Sequence, residues 1–85
     1  METTFPTPRD IELPQILRSA RQAAGLRQAD LAKRLQKPQS FVSKIETGER
    51  SLNVVEFAIV ARAIGADPLA LFAKILEALP LESRL

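Results

Sequence analysis

In the run QSFVSKIETGER, Gln39, Ser40, Ser43 and Lys44 are polar, while Val42 and Ile45 stand three apart among them. On a helix, Val42 and Ile45 share one side and the four polar residues occupy the other. The chemistry open to such residues is hydrogen bonding. A glutamine amide offers a donor and an acceptor together, which suits N6 and N7 of adenine, and a lysine can donate to O6 or N7 of guanine. Serine hydroxyls serve bases or phosphates alike. The plain alternative for Gln, Ser and Lys on a helix surface is solvation. Covalent chemistry is disfavoured, because the chain has no histidine and no cysteine, its carboxylates are scattered, and a serine such as Ser43 has no partner base. No enzyme activity, catalytic residue, metal site or cofactor is expected.

These polar residues need a scaffold, and the local signals supply one. The stretch QADLAKRLQKPQSFVSKI reads as two short helices, Gln28 to Leu35 and about Gln39 to Glu46, joined by Gln36, Lys37 and Pro38. Leu31, Ala32 and Leu35 form the apolar side of the first; neither helix is long enough to stand alone. Two short, tightly joined helices, each apolar on one side, fit a helix-turn-helix whose second helix is free to enter a DNA groove. A preceding helix opens at Pro14, carries Ile16, Leu17, Ala20 and Ala24 at helical spacing, and stops at Gly25. After Gly48 and the loop ETGERSLN, Asn53 and Glu56 form a capping-box pattern for a fourth helix. Its buried side is expected at Val55, Ala58, Ile59, Ala61 and Ile64, flanked by Phe57 and Val60, with Gly65 as its stop. Asp67 and Pro68 then start a fifth helix running to about Leu79. The expected fold is all-α, a compact five-helix domain over residues 14–79 with the helix-turn-helix as helices 2 and 3. Residues 1–13 are expected to form a flexible arm and 80–85 a tail.

Charge is distributed unevenly. The whole chain carries +2, but residues 18–50 hold eight bases (Arg18, Arg21, Arg27, Lys33, Arg34, Lys37, Lys44 and Arg50) against Asp30, Glu46 and Glu49, a net +5. Both flanks are negative. A positive excess confined to the suspected reading segment suits a polyanion, with double-stranded DNA the expected partner. Arg27 and Gln28, at the N-terminus of the first motif helix, are placed to meet a phosphate; Lys37, Thr47, Arg50 and Ser51 are further phosphate candidates. The segment METTFPTPRD lacks an apolar run of signal-peptide length, and no stretch approaches membrane-spanning length, so the protein is expected to be cytoplasmic.

The segments SARQAAGLRQADLAKRL, QSFVSKIETGER and ARAIGADPLALF together resemble the XRE/Cro family of helix-turn-helix regulators, a family of phage-repressor type. The resemblance runs from Ile16 to Phe72. It implies sequence-specific DNA binding, usually by a homodimer on an inverted repeat, with base contacts at Gln39, Ser40, Ser43 and Lys44 and with Arg50 and Ser51 on the DNA side. It also implies an ion pair between Arg21 and Glu46 that ties the reading helix to the scaffold. The turn departs from the family pattern: many members have glycine where Gln36 stands and an apolar residue where Lys37 stands. Phe41 is expected to cover the seam between helices, with contact to a thymine methyl or sugar as the alternative.

The fifth helix is apolar over a wide arc. Leu69, Phe72, Leu76 and Leu79 make one stripe, sufficient to pack on the domain, and Leu71 and Ile75 widen it beyond what a small monomer covers. These six residues are expected to form a two-fold dimer seam, the alternative being a well-buried closing helix. The function so implied is a DNA-binding transcriptional regulator, a repressor by preference. The alternatives are the DNA-binding antitoxin of a toxin–antitoxin pair, whose last helix and tail PLESRL hold a toxin, and a restriction-modification controller protein.

Overall fold

The computed structural model describes residues 13–82; the expected arm, all but its last residue, and the last three residues of the tail lie outside them. Within that span five helices follow one another: α1 (Leu13–Ala23), α2 (Gln28–Leu35), α3 (Gln39–Thr47), α4 (Val54–Ile64) and α5 (Pro68–Ala78). None is long and apolar enough to cross a membrane. The all-α, five-helix expectation is met.

Helix ends follow backbone chemistry closely. Asn53 accepts the N–H of Glu56 while the Glu56 carboxylate accepts the N–H of Asn53, closing the capping box of α4. Asp67 accepts from the Leu69 N–H at the start of α5, with Pro68 in the first turn. Gln36 ends α2 with φ at 55°, the one non-glycine with positive φ among the described residues. There the Gln36 N–H bonds the Lys33 carbonyl and the Lys37 N–H bonds that of Ala32, a Schellman ending performed by a residue with a Cβ. A left-handed non-glycine is strained by roughly 1 kcal/mol, so the turn of the motif holds a small store of strain.

The core is a single cluster: Leu17 from α1, Leu31 and Ala32 from α2, Val42 and Ile45 from α3, Val60, Ala61 and Ile64 from α4, and Leu71 from α5. Phe57, Leu35, Ile16 and Ala20 cover its margins. Ala61, with no exposed surface, lies within this cluster.

Two apolar faces differ from expectation. In α4, Val55 and Ile59 are 67% and 55% exposed, so the buried side is Phe57, Val60, Ala61 and Ile64. In α5 the two stripes exchange roles. Leu71 is buried in the core and Ile75 is half-buried, whereas Leu69, Phe72, Leu76 and, just past the helix, Leu79 are exposed. Leu71 is therefore a core residue and is corrected out of the dimer seam. The physical reason is the same in both helices. VVEFAIVARAI and PLALFAKILEA carry apolar residues around most of their circumference, so periodicity leaves the phase undecided and packing chooses it.

Candidate nucleic-acid interface

Helix α3 is held by its inner side and offers its outer side. Val42, Ile45 and Glu46 are buried; Gln39, Ser40, Lys44 and Thr47 are exposed and Ser43 is half-exposed. Ser40, Ser43 and Thr47, three and four residues apart, line one ridge with Lys44 beside them. Thr47 donates its hydroxyl to the Lys44 carbonyl, which anchors the last turn.

The hold on α3 centres on one carboxylate. Arg21 Nε donates to Glu46 Oε2 at 2.7 Å and Arg21 Nη2 to Oε1 at 3.0 Å, a forked pair in which the Glu46 side chain is only 2% exposed. Arg21 Nη1 also donates to the Leu26 carbonyl at 2.7 Å, which fixes the α1–α2 connection. Burial pushes the Glu46 carboxyl up, but hydrogen bonds from Arg21 and Gln28 outweigh it and hold the group below the ordinary glutamate range. Gln28 Nε2 donates to Glu46 Oε1 at 3.1 Å, and Gln39 Nε2 approaches Gln28 Oε1 at 3.4 Å. A buried pair thus extends, through Gln28, to the first residue of α3.

The flanking cations are less free than their charge suggests. Arg27 donates through Nε and Nη2 to the two Asp30 oxygens, at 3.1 and 3.0 Å, and its own N–H also goes to Asp30. These bonds depress the Asp30 carboxyl to about 2. Arg50 reaches Glu56 Oε2 at 2.9 Å through Nη2 and gives Nη1 to the Ser51 carbonyl, and hydrogen bonds from Arg50 and the Asn53 N–H hold the Glu56 carboxyl below its ordinary range. The Arg50 guanidinium lies 4.7 Å, and the Lys37 ammonium 5.6 Å, from the centre of the Phe41 ring. Phe41 is half-buried against the core, where sequence reasoning expected it, and carries a cationic cover as well.

Besides the contacts of Arg27 with Asp30 and of Gln28 with Glu46 and Gln39, three more partnerships were not anticipated. Arg18 Nε lies 3.5 Å from Glu46 Oε1, giving that carboxylate a second arginine. Its place three residues before Arg21, on the same side of α1, was a readable signal. Arg34 donates to the Ala63 carbonyl at 2.8 Å, tying α2 to the C-terminal turn of α4. The Arg50–Glu56 pair crosses a loop and had no sequence signal.

A family model for a helix-turn-helix domain matches residues 5–73. Among solved structures, an XRE-family like protein from Pseudomonas syringae pv. tomato str. DC3000 is similar, with 50% identity over 85% of this chain and 88% of that one and a TM-score of 0.76. The clp gene regulator ClgR from C. glutamicum is similar at 25% identity, covering 91% of this chain and 99% of that chain with a TM-score of 0.75. The restriction-modification controller protein C.Esp1396I, at 18% identity, 80% and 87% coverage and a TM-score of 0.71, shares the fold. No curated protein matches by sequence.

Proposed function

This chain belongs to the XRE-type helix-turn-helix family of DNA-binding regulators, and from that premise we propose that it recognises an inverted-repeat operator as a homodimer, with α3 in the major groove, and represses transcription by occupying that site. The observation that carries the reading is the two-sidedness of α3. Val42, Ile45 and Glu46 are locked to the scaffold, while on the opposite side Ser40, Ser43 and Lys44 carry no side-chain hydrogen bond among the described residues, and Gln39 and Thr47 are exposed with one such bond each. Gln39, Ser40, Ser43 and Lys44 read base edges, and Lys37, Thr47, Ser51, Arg27, Gln28 and Arg50 set the helix against phosphates. The dimer forms through Leu69, Phe72 and Leu76 of α5 and Leu79 at its C-cap, with spacing of three, four and three residues and exposures of 79, 47, 54 and 37%. Ile75 borders it.

Selection of bound sequences from a random duplex pool tests the reading. The expected product is an inverted repeat with half-site centres about one helical turn apart. Gln39→Ala relaxes one position of that repeat, whereas Lys37→Ala weakens every sequence alike and lowers the salt slope by about 1. Failure to enrich any sequence refutes specific recognition. Sedimentation of the pure protein tests the dimer: a dimer that Leu76→Asp dissociates without unfolding supports the two-fold seam. A monomeric wild type, with the stripe bare, argues instead for a toxin as the occupant of α5.

A further inference from the structure

The two arginines proposed above to grip phosphate, Arg27 before α2 and Arg50 after α3, are each engaged by a carboxylate that the backbone itself holds. Asp30 and Glu56 occupy the same position, the third residue of α2 and of α4. Each accepts the N–H of the residue that opens its helix, Arg27 N–H to Asp30 at 2.9 Å and Asn53 N–H to Glu56 at 3.0 Å. Each then closes on a guanidinium, Asp30 on Arg27 and Glu56 on Arg50. A carboxylate pinned in this way cannot swing aside when a phosphate approaches. The arginine has to exchange one anion for another, or meet the phosphate as part of a neutral pair that releases no counterion.

We propose that Asp30 and Glu56 are specificity-determining residues that compete with DNA phosphate for Arg27 and Arg50, suppressing attachment to non-operator DNA. The proposal rests on the DNA-binding reading above. Nonspecific affinity is almost wholly electrostatic, so its strength counts unpaired cations rather than total charge. In the segment of net +5, Arg18 and Arg21 are occupied by Glu46, Arg27 by Asp30 and Arg50 by Glu56. The other four bases, Lys33, Arg34, Lys37 and Lys44, form no ion pair among the described residues, and of these Arg34 gives a donor to the Ala63 carbonyl. On an operator, base contacts from α3 fix the docking distance and hold phosphates against the arginines long enough to win the exchange. On random DNA nothing holds them there, and the carboxylates keep their partners.

The test is fluorescence anisotropy with a random-sequence duplex across about 50 to 200 mM salt. It uses the wild type, D30N, E56Q, the arginine-lacking pairs R27Q/D30N and R50Q/E56Q, and E77Q as a charge control on the exposed surface of α5. The amide variants keep an oxygen to accept the N-cap N–H, so the helix starts survive, and thermal melts check this. Should E56Q nonetheless unfold, D30N reads the same effect independently. D30N and E56Q are each expected to steepen the salt slope by about 0.9, which makes a fourfold drop in salt strengthen them about threefold more than the wild type. The gain should vanish in both pairs and be absent in E77Q. An unchanged slope, weaker binding, a gain that survives loss of the arginine, or an equal gain in E77Q overturns the proposal. A wild type that binds no duplex even at low salt overturns the DNA-binding reading, and this inference with it.

Discussion

Removal of Arg21 is the sharpest test of how the reading helix is held. Arg21→Ala deletes the fork on Glu46 and leaves a carboxylate that is 2% exposed. Breaking a buried pair from one side costs about 3–5 kcal/mol, because the stranded charge keeps its desolvation penalty. Two groups soften the loss here: Gln28 still donates at 3.1 Å, and Arg18, 42% exposed, stands 3.5 Å away. The Leu26 carbonyl loses its arginine donor too, but its edge position lets water replace it. The expected loss is therefore near the low end, about 3 kcal/mol. A domain of this size has roughly 4–13 kcal/mol in all, and at about 4–8 °C per kcal/mol the Tm falls by roughly 12–24 °C. Urea denaturation followed by far-UV circular dichroism reads the change as a shift of midpoint at constant slope. R21M/E46L, which removes both charges and fills the space with apolar atoms, should lie within about 1 kcal/mol of the wild type. That variant also takes away the acceptor of Gln28, so it folds but reads its operator poorly. The reasoning is refuted if Arg21→Ala loses less than about 1 kcal/mol, or if the double variant is as unstable as the single one.

Gln36→Gly should stabilise the protein slightly, by up to about 0.5 kcal/mol, the relieved left-handed strain of roughly 1 kcal/mol exceeding the added freedom of the unfolded chain, and a thermal melt measures it. A destabilised variant means that the Gln36 side chain contributes more than its φ of 55° costs. In α5, Leu71→Ala should lose about 2–5 kcal/mol and Leu69→Ala no more than about 0.5 in dilute solution, the reverse of what a seam containing Leu71 requires. Asp30, Glu46 and Glu56 all have depressed carboxyl values in the folded state. Their contribution is fully present above the unfolded carboxylate range near 4 and is lost as pH falls through the folded values, toward about 2 for Asp30. Stability measured against pH should thus be level from about 8 down to 5 and decline only below about 4; the chain has no histidine to place a step near neutrality, and a midpoint near pH 6 would refute this account.

Helix ends were legible because each rests on the demand of one residue. A positive φ wants glycine, and Gly25, Gly48 and Gly65 stand at 74, 82 and 89°; an open helix start wants an acceptor, and Asn53 and Asp67 supply it. The faces of α2 and α3 were legible as well, since their apolar residues are few and lie on one side. What could not be read was the phase of α4 and α5, where several rotations about the axis bury similar apolar area. Ala61 and Leu71 settle it through packing that belongs to the assembled domain. Pairings within one helical turn, such as Arg27 with Asp30, were open to inspection. The Arg50–Glu56 pair depends on the path of a loop, which residue spacing does not encode.

The polarity of the reading surface follows from the one buried carboxylate. An ionised carboxylate can only accept hydrogen bonds, so the Gln28 amide must turn its nitrogen toward Glu46, as it does at 3.1 Å. Its oxygen is then forced toward α3, where only a donor is welcome, and Gln39 answers with Nε2 at 3.4 Å. That contact uses one of the two N–H groups of Gln39, an exposed residue, and leaves the other and Oε1 without a hydrogen-bond partner among the described residues. One donor beside one acceptor is the pattern complementary to N7 and N6 of adenine. If α3 reads bases as proposed, the buried Glu46 in this way decides which end of the Gln39 amide is offered to them. The same chain explains why the brace is ionic. An apolar contact in the place of Arg21 and Glu46 could hold α3 equally well, but it would leave Gln28 free to flip and Gln39 without a preferred orientation.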